Sequence, residues 1–372
     1  MALSTEVLTW MARLNKDIGP DTIVRASDIV VAHRFTSGSL ALDVALGGGW
    51  PGNQAVEVIG NESSGKTYTV LKTIAANQKI DKEFTTFWVA AEHYSPEQAA
   101  ALGVDNDRVV VAPAAQQAEV GLDLMLDALE SKLYDCVVLD SFPALIPREE
   151  DEKAMNEAVV ATGAKLFNKF WRKYGTSSHR NSDGTERPYL LIVINQFRDK
   201  VGGFQKFGVP QTTPGGHGKD YAFYTRVKVA RDEWITEKRP GLPDPVIVGQ
   251  VMAYKTTKNK SASPQQTAKV RAFTRNAPLL GFHRGDYDLG SDYVDMGILF
   301  GVIQLKGSWL NYDGQQWQGK DAMKDSVRED LDLQAKLSAE VLEVAADPRK
   351  ADAMLQQAIE EAPPRRKRGR AA

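Results

Sequence analysis

The octapeptide Gly60-Asn61-Glu62-Ser63-Ser64-Gly65-Lys66-Thr67 limits what this chain can fold into more than any other stretch. It fits the phosphate-loop pattern G-x-x-x-x-G-K-[ST]. Glycines let the backbone curl until successive N–H groups point inward at phosphate oxygens. Lys66 then reaches the β- and γ-phosphates as a point charge, and the Thr67 hydroxyl serves as a Mg²⁺ ligand. The device works between a strand and a helix whose positive end faces the anion. Both flanks are present. Ala55-Val56-Glu57-Val58-Ile59 is short, apolar and rich in β-branched residues, and residues 68–78 place Val70, Leu71 and Ile74 on one helical side.

The chain has 372 residues, 42% hydrophobic and 25% charged, which is ample material for a core. Cys136 is the only cysteine, so an intrachain disulfide and a thiolate zinc site are excluded. No apolar run approaches membrane-spanning length and the N-terminus lacks a signal-peptide pattern. The expectation is a cytoplasmic protein with no membrane partner. The net charge of −2 gives no bulk signal for a polyanion, so any nucleic-acid contact must come from local basic clusters.

Apolar strands alternate with helices through the middle of the chain. The strand candidates are residues 85–90, 135–139, 189–194 and 226–230; helices are expected over 96–102, 120–133 and 157–174. This alternation predicts an α/β fold with a mainly parallel central sheet and helices on both faces. Ahead of it, residues 4–18 read as an amphipathic helix carrying Val7, Met11, Leu14 and Ile18, and residues 28–32 as a strand. This arm can pack on its own body or on a neighbour. Beyond Phe282 the pattern changes to a helix over 293–302, a hairpin from Trp309 to Trp317 turning at Asp313-Gly314, and a helix over 325–346. We divide the chain into an arm (1–35), an ATPase core (36–281), a small α+β C-terminal domain (282–346) and a basic tail (347–372).

Ligands of parallel sheets gather at the carboxyl ends of the strands. Three strands end there in polar residues. Cys136-Val137-Val138-Leu139-Asp140 delivers a carboxylate to the magnesium shell. In many phosphate-loop ATPases a catalytic Glu comes directly after this Asp. Here Ser141 takes that place, so the base lies elsewhere, and Glu92, at the end of the strand over 86–90, is the candidate for activating water. The third strand, 190–194, ends in Asn195-Gln196, and the Gln196 amide can bond a γ-phosphate and pass its presence to the segment downstream. That segment is long, glycine-rich and basic. Arg198, Lys200, Lys206, Lys219, Arg226, Lys228 and Arg231 face only Asp199 and Asp220, with Phe204 and Phe207 among them. Cations interleaved with aromatics suit single-stranded nucleic acid, and such binding weakens with salt.

Taken together, these residues resemble the RecA family of strand-exchange recombinases. Ser39-Leu40-Ala41-Leu42-Asp43-Val44-Ala45-Leu46-Gly47 is similar to the opening of the family's core, and Glu62, Ser63, Ser64, Gly65, Lys66 and Thr67 to its phosphate loop. Ala91-Glu92-His93 resembles its catalytic-glutamate segment, Val138-Leu139-Asp140-Ser141 its Walker B strand, and Ile194-Asn195-Gln196-Phe197-Arg198 its glutamine switch. The resemblance implies ATP and Mg²⁺ as cofactors and a helical filament of identical subunits on single-stranded DNA. It implies homology search and strand exchange with double-stranded DNA, with ATP hydrolysis stimulated by DNA. It places a first DNA loop over 147–159 and a second over 198–219, where Phe207, Gly215 and Gly216 sit in family-like sequence. It makes Lys258 and Lys260 the lysines that reach the neighbour's γ-phosphate, and residues 1–35 a polymerisation arm. A hexameric helicase motor shares the core and is the alternative. Three departures mark a divergent, phage-type member: Tyr94 is the only aromatic near the expected adenine contact, the first loop carries Glu149, Glu150, Asp151 and Glu152 in a row, and the tail is basic.

Lys66→Ala is expected to abolish ATP turnover. A steady-state phosphate-release assay checks this, and preserved turnover would remove the phosphate loop from the chemistry.

Overall fold

The computed structural model describes residues 3–19, 22–28, 33–113, 115–152, 162–178, 187–199, 211–212, 218–347 and 349–350. Its centre is an eight-stranded sheet. In chain order the strands are β1 (Gln54–Gly60), β2 (Thr86–Ala90), β3 (Val109–Ala112), β4 (Cys136–Asp140), β5 (Leu190–Gln196), β6 (Thr225–Glu237), β7 (Val246–Asn259) and β8 (Thr267–Phe273). Across the sheet they run β8-β7-β6-β1-β5-β4-β2-β3. All neighbours from β6 to β3 pair in parallel; β7 is antiparallel to both β6 and β8.

Side-chain alternation sorts each strand into two cores. Val56, Val58, Trp88, Val138, Ile192 and Ile194 face α2 (Leu40–Leu46) and α3 (Lys66–Ile80), where Leu42, Val70 and Ile74 complete the cluster. Ala55, Val89, Val137, Leu139, Leu191 and Val193 face α4 (Ala118–Ser131) and α5 (Thr162–Ser178), through Leu122, Met125, Phe170 and Trp171. Both faces of these strands are covered, which is why they read as apolar runs without a polar side. Truncating a residue such as Ile74, which has 0% exposure, is expected to cost about 2–5 kcal/mol.

The mainly parallel sheet with helices on both faces is as expected. Three strands were not anticipated. β3 is only four residues long, and β8 and the C-terminal half of β7 place exposed Lys or Arg between buried residues because one side faces water. The arm helix, α1 (Thr5–Ile18), buries none of its residues, and Val7, Leu8 and Trp10 are exposed. The strand expected over 28–32 is not found at its first residue: Asp28 closes a 3₁₀ turn, Ala26–Asp28, tied to Arg25, and the rest lies outside the described residues.

After β8 come α6 (Leu289–Leu299), a small antiparallel sheet of β9 (Gln304–Lys306), β10 (Trp309–Tyr312) and β11 (Gln315–Gln318), then α7 (Lys320–Glu329) and α8 (Leu331–Ala346). They share a core of Val294, Ile303, Leu310, Met323, Val327 and Leu337. The single helix expected over 325–346 is in fact two. Asp330 ends α7 in extended geometry and its carboxylate accepts the Leu333 N–H at 2.9 Å, starting α8.

Asp292 of α6 anchors this unit to the sheet. Its Oδ2 accepts the Leu40 N–H at 2.8 Å and its Oδ1 the Ala41 N–H at 3.0 Å, capping α2 from outside. Complete burial, with buried Asp43 nearby, pushes the Asp292 carboxyl up to about 7 despite those bonds. Asp43 itself is pushed up to about 6 by burial. A carboxyl whose pKa is raised by folding binds protons more tightly in the folded chain, so its contribution is full below about pH 4 and fades as pH rises through about 7. Relative to Asp292→Asn, the wild type should therefore lose stability between about pH 4 and 7, roughly 4 kcal/mol if the whole shift is realised. Thermal melts of both proteins across that range check this; parallel curves would contradict it.

Candidate functional site

Parallel register sets the tips of four strands at one edge. Gly60 pairs with Gln196, and Ala90 with Asp140. The loop leaves β1 at Gly60, where an added Cβ would lie 2.4 Å from the Val229 carbonyl. Ser63 and Gly65 take positive φ, +55° and +99°. Gly65 heads α3 with no side-chain cap, so the first-turn N–H groups of a 15-residue helix have no side-chain acceptor at the loop. Lys66 Nζ donates to the Asn61 carbonyl at 2.7 Å across the loop. Burial pulls its pKa down, while Glu92, Asp140 and Glu62 favour the ammonium form.

The Thr67 hydroxyl donates to Asp140 Oδ2 at 3.0 Å. Burial, reinforced by the negative Glu92, pushes the Asp140 carboxyl up to about 6, against the Thr67 bond and Lys66. Glu92 is held from two sides. The Ser141 hydroxyl hydrogen-bonds Glu92 Oε1, and Gln196 Nε2 donates to the same oxygen at 3.4 Å. The Glu92 N–H bonds the Asp140 carbonyl at 2.8 Å. Lys66, Thr67, Asp140, Glu92 and Gln196 thus form one cluster, and Ser141 joins it.

This donor set fits a nucleoside triphosphate with magnesium. A glycine-shaped cradle, an uncapped helix start and a lysine suit the phosphates. The hydroxyl–carboxylate pair suits a hard cation. Among the described residues no group of three or more His, Cys, Asp or Glu could hold a metal. Phosphate oxygens and water would complete its shell.

Other residues named from sequence fall differently. Tyr94 turns inward: its ring packs edge-on against Trp88 at 5.2 Å and its hydroxyl donates to Asn106 at 2.8 Å. Lys219 and Arg226, expected at DNA, point instead at the buried Glu57. Lys258 and Lys260 sit on carbonyls of Asp220 and Tyr221 in a short helix, α9 (Gly218–Ala222), beside a cleft of about 740 Å³ bordered by Trp171, Tyr221 and Lys260. The backbone of Arg198 pairs with Thr212 in a two-residue ladder. Lys200, Phe204, Lys206, Phe207, Gly215 and Gly216 lie outside the described residues, as does most of the first loop; Glu149 and Glu150 stand exposed on the turn Arg148–Asp151.

Two residues escaped the sequence reading. Ser141, directly after Asp140, registers there only as a non-carboxylate. Glu57 is the one acid inside the otherwise apolar strand Ala55-Val56-Glu57-Val58-Ile59, and that position is the signal that could have found it.

A family model described as the RecA N-terminal domain matches residues 6–276. Proteins named Protein RecA are similar over nearly the whole chain. That of Salinispora tropica is 33% identical over 339 residues, covering 90% of both chains. Those of Acidothermus cellulolyticus and Saccharopolyspora erythraea are each 34% identical over 90% of both.

The chain belongs to the RecA family.

Membership makes it a phosphate-loop protein of DNA recombination and repair, which agrees with the strand–loop–helix context at Gly60. Among the described residues no helix is long and apolar enough to cross a membrane.

Gly65→Ala would place a Cβ 2.4 Å from Met252 Sδ at a φ of +99°. The expected result is a loss of about 1–3 kcal/mol of stability together with nucleotide affinity. Adding Met252→Ala removes the clash but not the positive-φ strain, so affinity should stay lost. Calorimetry and nucleotide titration separate the two, and full recovery of binding would contradict the backbone argument.

Proposed function

We propose that this protein is an ATP-dependent recombinase that assembles on single-stranded DNA and exchanges it with homologous duplex. The observation that carries the reading is the contact of Gln196 with Glu92 at the strand tips, with the basic segment beginning two residues on at Arg198. ATP supplies a transferable γ-phosphoryl, and magnesium neutralises its charge. Gly60, Glu62, Ser63, Ser64 and Gly65 shape the cradle, with Lys66 and Thr67 at the phosphates and Asp140 behind Thr67. Glu92 accepts the proton of the attacking water, and Ser141 fixes its rotamer. Gln196, bonded to that same carboxylate, reports on the site to Arg198, Lys200, Phe204, Lys206, Phe207, Gly215 and Gly216, which hold DNA.

Self-assembly is supported by what α1 leaves uncovered. A helix with Val7, Leu8 and Trp10 exposed and nothing buried has an apolar face suited to a second copy. Lys258 and Lys260, resting on carbonyls beside the exposed Tyr221, suit a nucleotide bound by the neighbouring subunit. The basic tail suits duplex DNA, and the working compartment is the cytoplasm.

Joint-molecule formation between homologous circular single strands and linear duplex, with ATP hydrolysis measured with and without the single strand, tests the reading. Joint molecules and stimulated hydrolysis are expected; strand unwinding by closed rings would overturn it. Glu92→Gln should leave ATP binding intact and slow hydrolysis by roughly 10²–10⁴-fold. An unchanged rate would move the base elsewhere.

A further inference from the structure

Glu57 lies mid-strand in β1 with no exposed surface. A carboxylate there persists only if paired and hydrogen-bonded. Arg226, directly across the β1–β6 register, hydrogen-bonds its Oε2. Asn195 Nδ2 donates to Oε1 at 2.7 Å. Lys219 Nζ stands 3.9 Å from the same Oε1, with its side chain 4% exposed.

The sequence positions of these partners matter. Asn195 is the residue before Gln196, and its Oδ1 accepts the Gln196 N–H at 2.9 Å. Lys219 lies in α9, which follows the glycine-rich basic segment in sequence. One buried carboxylate therefore holds both the residue from which that segment departs and the residue at which it returns. Polar contacts run from Glu92 through Gln196 and Asn195 to Glu57, and on to Lys219. Lys219 is also balanced between two acids: Asp220 Oδ1 is 4.0 Å from its Nζ, against 3.9 Å for Glu57. Asp220 in turn takes Arg226 Nη2 at 2.9 Å. The Lys219 ammonium thus lies between two carboxylates, and a small displacement changes which of them it is nearer.

We propose that Glu57 is a positioning residue that couples the nucleotide site to the returning end of the basic segment, by shifting Lys219 between itself and Asp220. The inference rests on the nucleotide reading above. Movement of Gln196 at the γ-phosphate pulls on Asn195, Asn195 shares its carboxylate with Lys219, and α9 moves with Lys219.

The test is hydrogen–deuterium exchange of residues 218–224 with and without a non-hydrolysable ATP analogue and Mg²⁺. In the wild type the analogue should slow exchange at least threefold. In Glu57→Gln it should change exchange by less than about 1.3-fold, with analogue affinity within threefold of wild type. Should that variant not fold, Glu57→Gln/Lys219→Met removes a cation with the anion, keeps the interior neutral, and is expected to fold and still lack the response. A purely structural ion pair predicts the reverse: the double variant regains the response. Retention of the response in either variant, or its absence from the wild type, overturns the proposal. A wild-type response without DNA-stimulated hydrolysis would defeat the recombinase reading and leave the coupling in place.

Discussion

Hydrogen-bonded register between β1, β5, β4 and β2 decides where each reacting group stands. Alternation along a strand has a period of two, so a slip of one residue would turn Asp140 from the loop into the sheet's interior and carry every neighbour to the wrong face. The register is held by burial on both sides: Val56, Val138 and Ile192 fill one core, Val137, Leu191 and Val193 the other. Gly60, Glu92, Asp140 and Gln196 then meet at one edge without any loop having to search for them.

Charge is arranged on that frame in two layers. The outer layer is the tip cluster, where Asp140 and Glu92 stand close enough to raise the Asp140 pKa and Lys66 partly offsets them. Two acids beside a single lysine leave room for a divalent cation, and the phosphates that accompany it bring their own negative charge. The inner layer is the buried Glu57 with Arg226 and Lys219, and the exposed Asp220 closes it at the surface, so that two anions meet two cations. Asn195 and Gln196, adjacent on β5, join the layers: one side chain reaches inward to Glu57, the next outward to Glu92.

Much of this was legible in the sequence for a physical reason. A strand buried on both faces must be apolar throughout, and a polar residue at its carboxyl end stands out; this exposed Asp140, Glu92 and Gln196. The same rule hid β7 and β8, whose water-facing positions carry Lys255, Lys269 and Arg271. It also hid Glu57. A single acid within Ala55–Ile59 looks like noise until the partner cations, far off in sequence at 219 and 226, are brought beside it by α9 and β6. Linear clustering of positive charge likewise does not say which way a side chain turns, so the facing of Lys219 and Arg226 towards Glu57 was not legible. Asp330 was missed because capping is local and a charged residue within a long amphipathic pattern fits the helix surface equally well.

The central claim is that nucleotide at the strand tips governs the grip on single-stranded DNA. Fluorescence anisotropy of a labelled oligonucleotide, titrated with protein in the presence and absence of a non-cleavable ATP analogue and Mg²⁺, tests it most directly. The account predicts at least tenfold tighter binding with the analogue, about 1.4 kcal/mol, and weakening of that bound state as salt is raised. Equal affinity in both conditions would contradict it.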